Sequence, residues 1–190
     1  MTDTVASAAS RPAIRAPWLR WGLVALIQLV LISIPLIDRL QVQGSGQTVR
    51  LAVVPVDPRD LLRGDYVIIN LAIGQISKEV PGSETVAYGD RVFVGLRASG
   101  DIPAEPVLVA RTREEAGDLA IAGTVLSVLD DEIRVDYGID AFFLPEGEGL
   151  EIERLDRSRI QLEVTVADDG RSLPVNLLVD GVVFRSDAIF

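Results

Sequence analysis

The chain contains no cysteine and no histidine. The absence of cysteine excludes disulfide bonds and thiol chemistry, and it fits an extracytoplasmic domain as well as a cytoplasmic one. The absence of histidine removes the commonest general base, the serine–histidine triad and most zinc sites. Enzyme classes that depend on these two residue types are therefore excluded.

Aromatic and basic residues are also scarce. Aromatic residues make up 5% of the chain, whereas 48% is hydrophobic, so the core must be mostly aliphatic. Lys78 is the only lysine, and the net charge is −10. No basic patch stands out against this acidic background, which argues against a nucleic-acid partner.

The chain contains one long apolar segment without charge, Trp21–Ile37. A helix of this length spans about 25 Å, at the short end of what a bilayer requires. Trp18 and Trp21 lie where an interfacial aromatic belt is expected, and Arg20 can reach the headgroups. The segment is longer than the apolar part of a signal peptide, and no small-residue cleavage site follows it. We therefore predict an uncleaved transmembrane anchor over residues 18–40.

The residues on either side of this anchor predict its orientation. Arg11, Arg15 and Arg20 precede the segment, so the positive-inside rule places the N-terminus in the cytoplasm and the remainder in the periplasm. Residues 1–17 are rich in Ser, Thr and Ala and are predicted to be a disordered cytoplasmic tail. Residues 41–48, QVQGSGQT, are predicted to be a short flexible linker.

Residues 49–190 consist of short β-forming segments separated by turn signals. About nine strands with a turn every 8–12 residues are typical of a β-sandwich or barrel. Hairpin turns are predicted at Asp130-Asp131, Asp168-Asp169-Gly170 and Asp180-Gly181. The predicted fold is mainly β: a single N-terminal transmembrane helix, then an all-β sandwich or barrel-like domain with one or two short helical turns.

One stretch of this domain, PVDPRDLLRGDYVIINL from Pro55 to Leu71, is dense in charge. Asp57 can cap a short helix that has Pro58 at its first position. Gly64 falls where a helix C-cap needs a positive φ. The β-formers that start at Tyr66 then predict a strand. We call residues 57–66 the GDY turn.

The GDY turn and a nearby acidic loop supply the candidate binding residues. These carboxylates and arginines could bind a cation or a charged ligand, or perform acid–base chemistry, although each also has a local capping or pairing role. No catalytic residue, metal ligand or cofactor is assigned. The candidate binding residues are Asp57, Arg59, Asp60, Arg63, Asp65, Tyr66 and Glu146.

The stretch DPRDLLRGDY resembles the signature of the GDYXXLXY family of bacterial membrane-anchored proteins. Segments at 91–94, 123–125 and 137–147 are also similar to that family, so the resemblance covers most of residues 49–180. Ile69 and Leu71 stand where the name motif has its leucine and its final tyrosine. The resemblance implies an inner-membrane location and adds no catalytic residue.

These patterns leave two hypotheses about function. The favoured one is an interaction or accessory module for a membrane partner, with the GDY turn as its contact surface. The alternative is a carboxylate-based hydrolase or cation-binding domain centred on Asp57, Asp60 and Asp65, with Glu146 contributing.

Overall fold

The structure, a computed structural model, describes residues 17–55, 66–139, 141–144, 152 and 155–187. Its internal contacts divide the chain into two compact units, one that ends at Asp38 and one that begins at Arg39.

An α-helix, α1, runs from Pro17 to Ser45 and begins before the predicted apolar segment. One stretch of it, Trp21–Gly44, is long and apolar enough to cross a membrane by length and composition, with a mean hydropathy of 2.1. The large side chains from Trp18 to Ile37 are exposed all around the helix; Trp21, for example, is 74% exposed. An isolated helix that is apolar on every face has no counterpart among surface helices of soluble proteins, which carry one polar face.

Residues 41–48 were predicted to be a flexible linker, but most of them belong to α1 or to the first strand. The helix continues through Ser45, and the first strand starts at Gln47. Val42 is only 2% exposed because it packs within the second unit, and its carbonyl oxygen accepts a hydrogen bond from the Gly46 N–H at 3.1 Å. Gly46 itself lies so close to the Thr165 side chain that a Cβ would overlap it. Tertiary packing at these two residues overrides the loop-like composition.

The second unit is built from strands, so the prediction of a mainly β fold is confirmed. Turns and short 3-10 helices connect the strands. The bounds of the strands are β1 Gln47–Pro55, β2 Tyr66–Leu71, β3 Gln75–Ser77, β4 Arg91–Ser99, β5 Ile102–Ala110, β6 Ala120–Val128, β7 Glu132–Asp136, β8 Ala141–Phe143, β9 Ile160–Val166, β10 Ser172–Val179 and β11 Val182–Ser186.

These strands form two sheets whose neighbours all pair antiparallel. The six-stranded sheet has the order β11-β10-β9-β1-β2-β8, and the five-stranded sheet has the order β3-β7-β6-β4-β5. The chain passes from the first sheet to the second through a 3-10 turn, Ala72–Gly74, which joins β2 to β3. Residues on both sides of this crossover line the candidate site described below.

The three predicted hairpin turns all connect antiparallel neighbours. At the last of them, Asp180 and Gly181 both have positive φ angles, 53° and 77°. Two consecutive positive φ angles are what a tight hairpin turn matching the strand twist requires. The described residues form eleven strands, more than the nine or so predicted, and the three-residue strands β3 and β8 are too short to show an alternating pattern.

The core between the sheets is aliphatic, as the low aromatic content predicts. Alternate residues of β1 and β9 face it, for example Leu51 and Leu162, which are fully buried. Phe142 is the one aromatic residue among the largest fully buried side chains of the described residues. In the interval 150–156 the structure describes Ile152, which is helical and buried, together with Leu155 and Asp156.

Candidate functional site

The predicted binding residues lie almost entirely outside the described part of the chain. The structure describes Tyr66 as the first residue of β2 and does not describe its side chain. The other six lie in the intervals 56–65 and 145–151, which are not described: Asp57, Arg59, Asp60, Arg63, Asp65 and Glu146.

The strands to which these two intervals are attached are neighbours. Tyr66 of β2 pairs with Phe143 of β8, and Pro55 of β1 pairs with Ile69 of β2. The chain therefore enters β2 from residues 56–65 beside the point where it leaves β8 towards residues 145–151. The two intervals are far apart in sequence, but they are attached to the paired ends of two neighbouring strands of the six-stranded sheet.

A cleft of about 320 Å³ lies at the crossover between the two sheets. Its volume is at the small end of the range for ligand pockets, which run from roughly 300 to 1,000 Å³. Apolar and polar side chains share its walls. The residues that line it are Val54, Asn70, Leu71, Gly74, Gln75, Leu126, Arg134, Val135, Asp136, Tyr137 and Ile139.

Strand β7 supplies the charged residues of this cleft. Arg134 and Asp136 are exposed, whereas Val135 between them is buried, so both charged residues lie on the outer face of the five-stranded sheet. Arg134 donates one hydrogen bond, from Nε to Glu132 Oε1 at 3.4 Å. One carboxylate oxygen of Asp136 accepts a hydrogen bond from the Gly138 N–H at 2.8 Å. Among the described residues, the two terminal nitrogens of Arg134 have no partner.

A β-bulge in β6 places an apolar side chain at the same cleft. The register between β6 and β7 shifts between Val125 and Ser127, so Leu126 is the additional residue. Leu126 is 54% exposed and lines the cleft, and the exposed Val128 and Leu129 follow it. Bulges re-aim side chains and are common beside functional sites. Leu126 and Leu129 thus form an apolar strip beside the charged residues of β7.

Tyr137 closes one end of the cleft. Its hydroxyl donates a hydrogen bond to the carbonyl oxygen of Ile73 at 2.7 Å, which joins the end of β7 to the crossover turn. Burial raises the pKa of Tyr137 above its ordinary value, so the phenol remains protonated at neutral pH. Its oxygen can still accept a hydrogen bond from a ligand.

Replacing Tyr137 with phenylalanine is expected to lower the free energy of unfolding at pH 7 by about 1–2 kcal/mol, because the Ile73 carbonyl loses its donor. The raised pKa has a second consequence. In the native chain the stability is fully present below the unfolded-state value of about 10 and falls as the pH rises above it, because the unfolded phenol loses its proton first. Urea unfolding of the full chain between pH 7 and 11 measures both effects.

The control for this prediction is Tyr88→Phe, since Tyr88 is 79% exposed. This variant should match the native chain at pH 7. In Tyr137→Phe the alkaline fall should be shallower than in the native chain. Equal stability of Tyr137→Phe and the native chain at pH 7 would contradict the role given to the hydroxyl.

Neither a metal site nor an internal repeat emerges from the described residues. No group of three or more carboxylates among them could hold a metal ion. Residues 63–66, RGDY, and residues 134–137, RVDY, are similar in sequence. They do not occupy equivalent positions, because Tyr66 begins a strand whereas Tyr137 follows one.

Comparison with known families bears on the whole of this region. The family described as GDYXXLXY protein matches residues 28–177, well over half of the chain. The chain belongs to the GDYXXLXY family. No curated protein and no solved structure matches it.

The GDYXXLXY match contains every residue that lines the cleft. The family's name motif runs from Gly64 to Leu71, so its last position lies on β2 at the cleft wall. Leu71, which stands there in place of tyrosine, is 8% exposed and belongs to the hydrophobic core. No sequence pattern indicated the cleft, although the segment at 137–147 that resembles the family includes Tyr137.

Proposed function

We propose that this GDYXXLXY protein is anchored in the bacterial inner membrane by α1 and presents its β-domain in the periplasm as an accessory module for a membrane partner. The observation that carries the anchor is the exposure of the large apolar side chains from Trp18 to Ile37. Leaving this surface in water would be costly at about 25 cal/mol per Å² of apolar area, whereas a bilayer would cover it. The family membership is compatible with this placement.

The orientation in this proposal rests on the charges that flank the helix. Arg11, Arg15 and Arg20 precede the apolar segment, and Asp38 and Arg39 follow it. The excess of arginine on the N-terminal side favours retention of that side in the cytoplasm. The β-domain then lies in the periplasm, where the absence of cysteine poses no difficulty.

The contact surface in this proposal is the GDY turn, residues 57–66. Two arginines and three aspartates in one short stretch favour a charged partner surface, since complementary charge supplies specificity and a faster association rate. The pairing of Tyr66 with Phe143 supports a shared surface with the acidic residues after β8, Glu146 among them.

Photo-crosslinking from position 63 in native membranes tests the partner. A photoreactive amino acid replaces Arg63, and mass spectrometry identifies the adducts. The control carries the same group at Arg97, an exposed residue of β4. A membrane protein captured from position 63 and not from position 97 is the expected result, and the absence of any specific adduct would overturn the partner role.

The alternative function is a carboxylate-based hydrolase or a cation-binding domain. The same strand pairing favours it, because Asp65 directly precedes Tyr66 and Glu146 follows Phe143 by three residues. Hydrolysis that disappears in Asp65→Asn while the fold is retained would replace the accessory function by the enzymatic one. Calcium or magnesium binding by the full chain that is lost in Asp65→Asn would favour the cation-binding domain.

A further inference from the structure

We infer that the cleft at the sheet crossover binds an extended peptide segment in which an acidic residue is flanked by apolar ones. This inference rests on the proposed role as an interaction module and adds a second contact site, formed by residues other than those of the GDY turn, with a defined partner chemistry. Two independent features support it, one electrostatic and one apolar.

The electrostatic feature is Arg134. Its guanidinium has five donors, of which only Nε–H is used, in a long 3.4 Å bond to Glu132. Arg134 lines the cleft, and no described residue pairs with its two terminal nitrogens. A guanidinium with both terminal nitrogens available binds a carboxylate through two parallel hydrogen bonds. A carboxylate is therefore the ligand group that these two nitrogens fit, beside the ion pair that Nε makes with Glu132.

Asp136 limits what else fits beside Arg134. It lies on the same face of β7 and repels an anion, but one of its oxygens is already held by the Gly138 N–H. A free phosphate or a polyanion would meet this carboxylate at close range. A single carboxylate followed by backbone N–H donors, as in a peptide, can pair with Arg134 and donate to Asp136 at the same time.

The apolar feature is the strip that begins at Leu126. The β-bulge turns this leucine outward, and the exposed Leu129, which follows β6 and lies opposite Glu132, extends the strip. Leu71, Val54 and Ile139 supply apolar walls inside the cleft. Apolar residues on both sides of the carboxylate would cover these surfaces, and the amides of Asn70 and Gln75 at the cleft can bind the peptide backbone.

The cleft holds about 320 Å³, which limits the inserted part of the ligand to a few residues. The rest of the segment would lie along the strip outside the cleft. A short motif held by one charge-assisted pair and one apolar strip is typical of peptide recognition in which side-chain pockets supply specificity.

The test uses the full chain in lipid nanodiscs and two fluorescein-labelled pentapeptides. The first has the sequence acetyl-Val-Leu-Asp-Val-Leu-amide, and the second has asparagine in place of aspartate. Fluorescence anisotropy, corrected with empty nanodiscs, measures the two dissociation constants. The aspartate peptide is expected to bind about tenfold more tightly, because only its carboxylate pairs with Arg134.

Variants at the two features separate their roles. Arg134→Gln should reduce the ratio of the two constants from about ten to about one, whereas Arg97→Gln should leave the ratio unchanged. Leu126→Ser should weaken both peptides by a similar factor and keep the ratio, because it removes apolar contact and no charge. All three substituted residues are exposed, and a thermal melt by circular dichroism verifies that each variant is folded.

Other results would overturn the inference. These are no binding of either peptide up to 1 mM, equal affinity for the two peptides, or a ratio that persists in Arg134→Gln. A dimer seen by native mass spectrometry and lost in Arg134→Gln would assign the cleft to a second copy of the chain. None of these results affects the crosslinking test at position 63, so the two proposals fail separately.

Discussion

Two arginines introduced together into the middle of α1, Leu29→Arg and Ile32→Arg, are expected to abolish stable membrane association. Each arginine at the centre of a spanning helix costs about 2.5–3.5 kcal/mol and also removes a favourable apolar residue, so the pair costs roughly 6–8 kcal/mol. Extraction of membranes with alkaline carbonate, followed by immunoblotting, measures the fraction that remains in the pellet. We expect that fraction to fall from nearly all of the protein to less than half.

The control for this experiment adds the same two charges to the β-domain. Ile102 and Val182 are 64% and 70% exposed, so Ile102→Arg with Val182→Arg should leave the protein in the pellet. A helix variant that resists carbonate as well as this control would contradict the membrane anchor.

A single methyl group at Gly82 is expected to destabilise the β-domain strongly. Gly82 has a φ of 85°, which costs an L-residue about 1–2 kcal/mol. Its added Cβ would also overlap the carbonyl oxygen of Val109, a backbone atom of β5 that cannot move aside alone. The neighbouring backbone is fixed by a hydrogen bond from the Val109 N–H to the Pro81 carbonyl at 2.9 Å. Gly82→Ala should therefore lower the free energy of unfolding by about 3 kcal/mol or more.

Gly89→Ala is the matched control, because the two glycines share the backbone φ and differ in the space around an added Cβ. Gly89 has nearly the same φ, 84°, but nothing lies within 4 Å of its added Cβ. This variant should lose only the conformational part, about 1 kcal/mol. Urea unfolding of both variants gives the difference, and equal losses would show that Val109 does not constrain the loop.

The parts of the fold that are set by local chemistry could be predicted from the sequence. Asp180-Gly181 predicted a hairpin turn because both residues tolerate a positive φ, and the structure has that turn. The all-β class followed from short segments of β-formers, and it is confirmed. The apolar helix followed from the uncharged segment after Trp21.

Features that depend on contacts between distant residues could not be predicted in this way. The end of α1 is helical because Val42 is buried within the second unit, although Gly44 and Gly46 near it are typical of a loop. The bulge that exposes Leu126 leaves no mark in an alternating pattern. The cleft was missed for the same reason, since it joins β1 and β2 with β7 across the crossover.

The predicted site itself remains a prediction. Its charged residues lie in intervals that the structure does not describe, and only the flanking strands are placed. The pairing of Tyr66 with Phe143 is a long-range contact that no local pattern shows, and it supports treating the two intervals as one surface.

The most direct test of the account is the position of the β-domain relative to the bilayer. Because the chain has no cysteine, single cysteines report without background labelling. Ser99→Cys, at the exposed end of β4, and Ser7→Cys, before the helix, are each treated with a membrane-impermeant maleimide in intact and in lysed spheroplasts. The account predicts that position 99 reacts in intact spheroplasts and that position 7 reacts only after lysis. Labelling of position 7 in intact spheroplasts, or protection of position 99 until lysis, would contradict it.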